Sequence, residues 1–482
     1  MSNMNGKQTA YEYIDKHADA FIGVSDRIWD YAELSLKEFR SAELYCDFLE
    51  ENGFTVERNL CGVPTAFSGS YGAGRPVIGI LGEFDALSGL SQEGGVAEQR
   101  SAGGDTGHGC NHNLLGAGSL AAACAVKDYL QRSGAGGTVV FFGCPGEEGG
   151  AGKAFMAREG AWRTLDAAIT WHPDYVNFSV TGSCLSCIQK EYRFSGVAAH
   201  AAGDPDKGRS ALDAVELMNI GVQYLREHMP ATARVHYAIT DGGGVSPNVV
   251  QPHAAVLYMV RDHSVSEAQA LQARIDKIAE AAAMMTETRV TVRFIDGCSD
   301  TVSNQALEEA AYANLCAAPL PDYTTEELDY ARKLIASFPV PAPSLAAEYG
   351  DALTKEQIDY VNQMTDNGSA PVNRFVLPYF HSERIHMGST DVGDVSWQTP
   401  TVQIYAACQA AGSPGHSWQN VSCGKSSLGY KGMLYAGKVL SGLAIDLLTQ
   451  PGLLAKARAE FTEKTTGGYL CPIPPDAVPT AL

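Results

Sequence analysis

The sequence lacks a cationic excess: 35 lysines and arginines face 55 aspartates and glutamates, a formal net charge of -20. Nucleic acid and anionic membrane both require a positive surface, so neither is an expected partner. A small anionic ligand stays open, because a local arginine or metal ion overrides the net field within a Debye length of ~8 Å. No run approaches the ~18 uninterrupted apolar residues of a membrane span, and the polar start, MSNMNGKQTAY, has no apolar core of a secretion signal. The twelve cysteines are scattered; Cys46, Cys124 and Cys408 sit inside apolar runs, as reduced core thiols do. Cys184 and Cys187 form one CxxC, a pattern that two core positions on a strand also produce. No internal repeat or low-complexity tract is evident. Together these absences lead us to expect a soluble, cytoplasmic, globular protein.

What is there is enough for several cores: 482 residues, 45% of them hydrophobic, imply two or three domains. The first part reads as a helix over 7–34, a second over 41–52 stopped by Gly53, and a strand over 77–81. A helix rich in small residues follows Asn113, and then come apolar strands over 138–142 and 167–171. Near-continuous apolar strands alternating with helices predict an α/β layer whose largely parallel sheet is flanked by helices. From residue 188 the pattern becomes strand (188–195), helix (210–229), strand (234–240), strand (254–261), helix (265–284), strand (289–295). This βαββαβ order is the ferredoxin-like arrangement and predicts an inserted domain. The division expected is 1–186 and 300–482 for the main domain, interrupted by 187–299. A further insertion at about 300–389 is rich in Pro, Asp and Glu, with helical stretches over 326–336 and 355–364 but no alternation that fits the sheet. A strand over 402–406 and a helix over 428–448 return the chain to the first domain.

Four of the apolar strands run into unusual polar clusters. They are Glu83-Phe84-Asp85, then Glu147-Glu148, then His172, and last Gly415-His416 a little beyond its strand. Ligands of open α/β sheets bind outside the carboxyl ends of the strands, so these clusters should converge on one crevice. Two adjacent carboxylates are costly to bury without a compensating cation, although the glycines around Glu147-Glu148 would also permit a solvated turn. In His108-Gly109-Cys110-Asn111-His112-Asn113, a thiolate and an imidazole two residues apart suit zinc or a similar ion; the same loop could simply cap the next helix, with Asn113 as N-cap. A cysteine, three histidines and a glutamate supply enough ligands for two metal ions ~3.5–4 Å apart. A neighbouring carboxylate outside the ligand set can then take the proton of the attacking water and pass it to the leaving amine.

These motifs resemble those of the aminoacylase and carboxypeptidase G family of dinuclear metallopeptidases, especially its amidohydrolase branch. The branch's HxCGH(D/N), EEG, strand-end HP and C-terminal GH patterns match 108–113, 147–149, His172-Pro173 and Gly415-His416. The resemblance implies Cys110, His112, Glu148, His172 and His416 as ligands of two divalent ions, Zn or Mn. It makes Glu147 the general base and Asp85 a carboxylate that orients a ligand. It also implies that the inserted domain is a lid that dimerises and sends His200 to a partner's site as an oxyanion donor. Asn248, Arg261 and, more weakly, Arg209 fall at substrate-binding positions, where an arginine fork suits a carboxylate. The activity implied is hydrolysis of an amide joining an acyl or aromatic group to an amino acid, with p-aminobenzoyl-glutamate as the leading substrate. Other conjugates (indoleacetyl-amino acids, dipeptides), aromatic amine deamination, or a non-catalytic role in a hetero-oligomer with a related subunit are the alternatives to a catalytic homodimer. The chain departs from the branch at Asn111, where most members have Gly, and at Asn113, where many have Asp.

Overall fold

In the computed structural model, which describes residues 3–481, α1 (Asn3–Lys16) and α2 (Ala18–Tyr31) replace the single helix expected over 7–34. The break falls at His17, whose φ of -109° and ψ of 17° are not helical; its ring and its backbone amide both bind the Tyr13 carbonyl, at 2.8 and 3.1 Å. No proline or glycine marks this break in the sequence. After α3 (Phe39–Glu51) come β1 (Thr55–Arg58), β2 (Phe67–Ala73) and β3 (Val77–Glu83). Then follow α4 (His112–Ser133), β4 (Gly137–Cys144), α5 (Gly152–Arg158), β5 (Ala167–Asp174) and the short β6 (Phe178–Ser179).

The seven-stranded sheet has the order β1-β2-β4-β3-β5-β11-β6, where β11 is Thr401–Ala407, reached only after more than 200 residues. Its centre, β4-β3-β5-β11, is parallel, and β1, β2 and β6 are antiparallel at the margins. The four strands that carry the polar clusters are therefore neighbours pointing the same way, so their carboxyl ends share one edge. The mainly parallel α/β sheet expected from the apolar strands is present.

Helix α4 lies against the sheet together with α14 (Ser427–Thr449), and small residues allow their close contact: a Cβ on Gly437 would stand 3.1 Å from the Gly118 carbonyl. Helix α14 is long and apolar enough to cross a membrane by composition, but most of it is buried here in the largest apolar core, with Leu440, Leu443 and Leu447 inaccessible.

The inserted unit contains β7 (Ser186–Ser195), α6 (Ala211–Leu225), β8 (Arg234–Asp241), β9 (His253–Asp262), α7 (Val265–Thr286) and β10 (Arg289–Cys298). Its antiparallel sheet runs β8-β9-β7-β10, and α6 and α7 bury Val215, Met218, Leu271 and Ile275 against it. Ser210 and Ser264 cap the two helices by accepting the amides of Asp213 and Glu267.

The 300–389 segment, whose fold the sequence pattern does not give, carries four helices joined by irregular stretches. After α8 (Gln305–Ala317) come α9 (Thr325–Ala336), α10 (Leu345–Glu348) and α11 (Lys355–Met364). Thr324 and Thr354 begin α9 and α11 with capping boxes. Leu345, Leu353 and Val361 form a small core with Val176 and Phe178, so this segment is anchored on the β6 margin of the sheet, beside the crevice. The short α12 (Val392–Ser396) leads into β11, and α13 (Trp418–Gly424) and α15 (Pro451–Lys464) flank α14.

Candidate metal centre

A crevice of about 460 Å³ opens at the carboxyl edge of the parallel strands. Cys110, Glu147, Glu148, His172 and His416 line it from the main domain, and Arg261 lines it from the inserted one. Ligand atoms of Cys110, His112 and His172 lie within 4.8 Å of one another, as do those of Cys110, Glu148 and His416. Both clusters contain Cys110, which places its sulfur between two potential cation positions.

The hydrogen bonds set the tautomers. His112 Nδ1 donates to Asp85 Oδ1 at 2.8 Å, and His172 Nδ1 donates to the Pro173 carbonyl at 2.8 Å. His172 is left with Nε2 as its free lone pair, the form a metal requires; burial opposes a charge on His112, but Asp85, Cys110 and Glu83 hold its imidazole well above the ordinary value, so a cation that takes its Nε2 displaces a proton. Asp85 also accepts the Ser35 hydroxyl at 2.7 Å and the Glu148 amide at 2.9 Å, so one buried carboxylate fixes a ring and the backbone of the next candidate ligand. Burial opposes its ionisation, but the His112, Glu148 and Ser35 hydrogen bonds outweigh that and hold its pKa at about 2.

Several groups point into the crevice unsatisfied. His112 Nε2, Glu148 Oε1 and Glu83 Oε2 are buried without a hydrogen-bond partner. Burial and Glu148 push the Cys110 thiol well up, so its thiolate needs a cation close by. Burial pushes the Glu147 carboxyl up too, helped by Glu83 and Glu148. Burial holds the His172 imidazole down at about 4, so it is neutral near pH 7. Orphaned donor atoms, neutral histidine and surplus acid are what a site for divalent cations looks like before the cations are added. The residues therefore fit two such ions.

His416 closes the second cluster, with Nε2 3.0 Å from Cys110 Sγ and 3.5 Å from Glu148 Oε2. Its backbone is left-handed, φ 50°, an uncommon conformation for a residue with a side chain. Asn111 is left-handed as well, φ 59°, immediately before α4. Glycine and asparagine both tolerate this conformation, so Asn111 suits the backbone in place of the Gly that the resemblance implies. Helix α4 begins at His112, so Asn113 is not its N-cap. Asn113 faces away from the ligands, donating to Ser25 Oγ at 2.9 Å and the Gly424 carbonyl at 2.8 Å.

Other participants were not apparent from motifs. Lys153 is fully buried between Glu83, at 2.6 Å, and Asp391, at 2.5 Å, and Glu83 in turn faces His112 Nε2 at 3.3 Å. Glu83, His112 and Glu147 themselves form a third close group. Glu38 accepts the Leu36 and Gly146 amides and the Thr65 hydroxyl, each at 2.8 Å, and so anchors the turn before Glu147. Gly146 needs its glycine there because φ is 68°. The one available signal was a lone lysine inside the apolar stretch AGKAFM.

The inserted unit behaves differently. Arg261 donates to Ser389 Oγ at 2.9 Å in the crevice wall. His200, Asn248 and Arg209 do not line the crevice within this chain. Arg209 binds Glu287 at 2.9 Å and the carbonyls of Asp206 and Gly208. His200 and Asn248 are exposed on two loops that pair through His200 and Val249. The amides of Ala202 and Gly203 donate to His200 Nδ1, which leaves Nε2–H of the neutral ring as an outward donor. The CxxC cysteines point to different partners: Cys184 to Thr301 at 3.0 Å, and Cys187 to Cys298, across the strands at the neck of the insertion, at 3.2 Å.

A parallel α/β sheet with sulfur, nitrogen and carboxylate ligands gathered at its carboxyl edge, under an inserted antiparallel unit, defines a metal-dependent hydrolase of the two-domain peptidase type. Residues 188–286 match the peptidase dimerisation domain. The chain is 44% identical over 491 residues to one subunit of the p-aminobenzoyl-glutamate hydrolase of Escherichia coli (strain K12), covering 98% of this chain and 100% of that one. It is 26% identical to the Xaa-Arg dipeptidase of Mus musculus, over 94% and 92% of the two chains. A Bacillus subtilis protein described as a dinuclear metal-binding peptidase of the M20 family shares the fold at a TM-score of 0.54 and 16% identity, over 90% of this chain and 99% of that one. The chain belongs to the M20 family of metallopeptidases and amidohydrolases. It is an enzyme that hydrolyses an amide bond of an amino-acid conjugate with the help of divalent metal.

Proposed function

We propose that the protein cleaves p-aminobenzoyl-glutamate to p-aminobenzoate and glutamate. The observation that carries this reading is the pair of ligand clusters sharing Cys110, with Glu147 beside them and outside both. The substrate named for the Escherichia coli relative supports the choice of conjugate. Cys110, His112 and His172 would hold one ion and Cys110, Glu148 and His416 the other, Zn or Mn in each case. Two bound divalent ions supply Lewis acidity that polarises the scissile carbonyl and lowers the pKa of water toward ~7.

The chain's own groups do the rest. Glu147, beside both ligand clusters and outside them, accepts the proton of the attacking water and delivers it to the nitrogen of the departing glutamate. Asp85 keeps His112 in one tautomer throughout. Arg261, braced by Ser389, receives a substrate carboxylate. His200 of a second copy, offering Nε2–H, stabilises the oxyanion; Asn248, on the paired loop, joins it in holding substrate, and Arg209 serves to support that loop. The exposed β8 edge of the inserted sheet, with Tyr237 and Ile239 uncovered, is the surface for pairing with a second copy or with a related subunit. Twelve free cysteines suit the reducing cytoplasm.

The test is turnover of p-aminobenzoyl-glutamate by the purified, metal-loaded protein and by its Glu147→Ala variant. The variant should lose ~100-fold or more in kcat with its metal retained. Full activity without Glu147 would overturn the mechanism.

A further inference from the structure

Beside the crevice lies a second chamber of about 360 Å³, and the 300–389 segment builds its outer wall. The two cavities share Asp174, Val180, Thr181, His386 and Tyr405, so they are separated by a common wall only one residue thick. The chamber is aromatic. Phe178 packs on Phe380 at 5.3 Å and on Tyr349 at 5.6 Å between ring centroids. Phe178 also approaches Tyr405 at 6.5 Å, and Tyr405 meets the candidate ligand His172 at 6.2 Å. A ladder of rings thus leads from the metal centre to the inserted helices.

The chamber is acidic too. Asp174, Glu348 and Asp351 line it, against the single guanidinium of Arg384. Glu348 Oε2 is held by the Tyr175 hydroxyl at 2.7 Å, while Asp174 uses only Oδ1, toward the Tyr175 and Val176 amides. Asp174 Oδ2 has no hydrogen-bond partner among the described residues. Arg261, from the inserted domain, brings a cation into the crevice. The crevice therefore pairs a cation on the inserted domain with an aromatic, acceptor-rich chamber.

We propose that this chamber binds the aromatic ring of the substrate's acyl half, and that its carboxylates select a ring bearing a hydrogen-bond donor such as an amino group. The amino-acid half then lies toward Arg261, with the scissile amide at the metal centre between them. The ring gains apolar and edge-to-face contacts with Phe178, Tyr349 and Phe380. A ring carrying an added carboxylate meets Glu348 and Asp351 against the one guanidinium of Arg384, while burial holds the Asp174 carboxyl up at about 7, and such a ring is disfavoured. The 300–389 segment is on this view a specificity element, and the proposal rests on the amidohydrolase reading above.

The two ideas separate experimentally. Ala352 lines the chamber and is exposed, so Ala352→Trp fills the space without disturbing a core. In the full-length, metal-loaded protein this variant should raise KM for p-aminobenzoyl-glutamate ~10-fold or more and leave N-acetyl-glutamate turnover unchanged. Glu348→Gln should reduce the preference for p-aminobenzoyl- over benzoyl-glutamate ~3- to 10-fold while leaving benzoyl-glutamate itself unaffected. Calorimetric titration with p-aminobenzoate needs no turnover: wild type should bind it, and Ala352→Trp should weaken it by a similar factor. Parallel loss on aromatic and acetyl substrates, or unchanged p-aminobenzoate binding in Ala352→Trp, overturns the chamber assignment even if amide hydrolysis stands. Intact p-aminobenzoate binding that Ala352→Trp abolishes, in a protein that cleaves no amide, upholds the chamber and sinks the hydrolase mechanism instead.

Discussion

The crevice of the main domain and the loops of the inserted domain handle polar side chains in opposite ways. In the crevice Asp85, His112, Lys153 and Glu83 are buried and each is fixed by a neighbour, so the ligand geometry is set inside one chain. On the insertion, His200 and Asn248 are exposed and Arg209 is spent on local contacts. Buried, over-determined groups are preorganised for chemistry before any substrate arrives. Exposed ones acquire a role only when something covers them, a second copy or a closing movement. Substitution in the first region should therefore show in the stability, metal content or chemical step of a single chain, and in the second only in what depends on assembly.

The largest effect should come from Lys153. Replacing it with Met leaves Glu83 and Asp391 buried without their cation, and thermal unfolding should show a loss of about 3–5 kcal/mol. A variant as stable as the wild type would mean that the crevice is less rigidly built than this comparison holds. Next, Glu147→Gln should reduce kcat by ~100-fold or more with little change in Tm; a drop in Tm alone would assign Glu147 to structure.

Asp85→Asn, which exchanges the acceptor of the His112 Nδ1 proton for an amide, should weaken metal affinity about 10- to 100-fold in competition with a chelator. Unaltered affinity would remove Asp85 from the site. The smallest effect belongs to the other region: the Arg209–Glu287 pair is largely exposed, so Arg209→Ala should cost less than about 1 kcal/mol in stability. A loss of several kcal/mol would make Arg209 part of a fixed framework, as Lys153 is, and blur the contrast.

Much of this was readable in the sequence because the physics was local. Apolar, β-branched strands over 77–81 and 138–142 are where β3 and β4 lie, and the polar clusters that follow them meet because parallel neighbours end at one edge. The βαββαβ order of the inserted unit is likewise present with its helices against one face. The interruption at His17 was invisible, since no proline or glycine stands there and the break is confined to the φ and ψ of one residue. The fold of 300–389 was hidden because its apolar residues divide among separate cores: Leu307 and Leu315 join the largest, while Leu345, Leu353 and Val361 pack with Val176 and Phe178, more than 150 residues earlier. Lys153, Asp391 and Glu38 were missed for the same reason: each acts through partners distant in the chain. Asn111 looked like a departure, and its positive φ turns it into a conservative replacement for glycine.

The central claim is that one sulfur, Cys110, joins two cation sites. Metal analysis of the purified protein and of its Cys110→Ser variant, each checked for a cooperative unfolding transition, tests it most directly. We expect two divalent ions per chain in the wild type and a loss of both, or retention of at most one, in the variant. A wild type that binds no metal, or a variant that keeps both ions, would contradict the account.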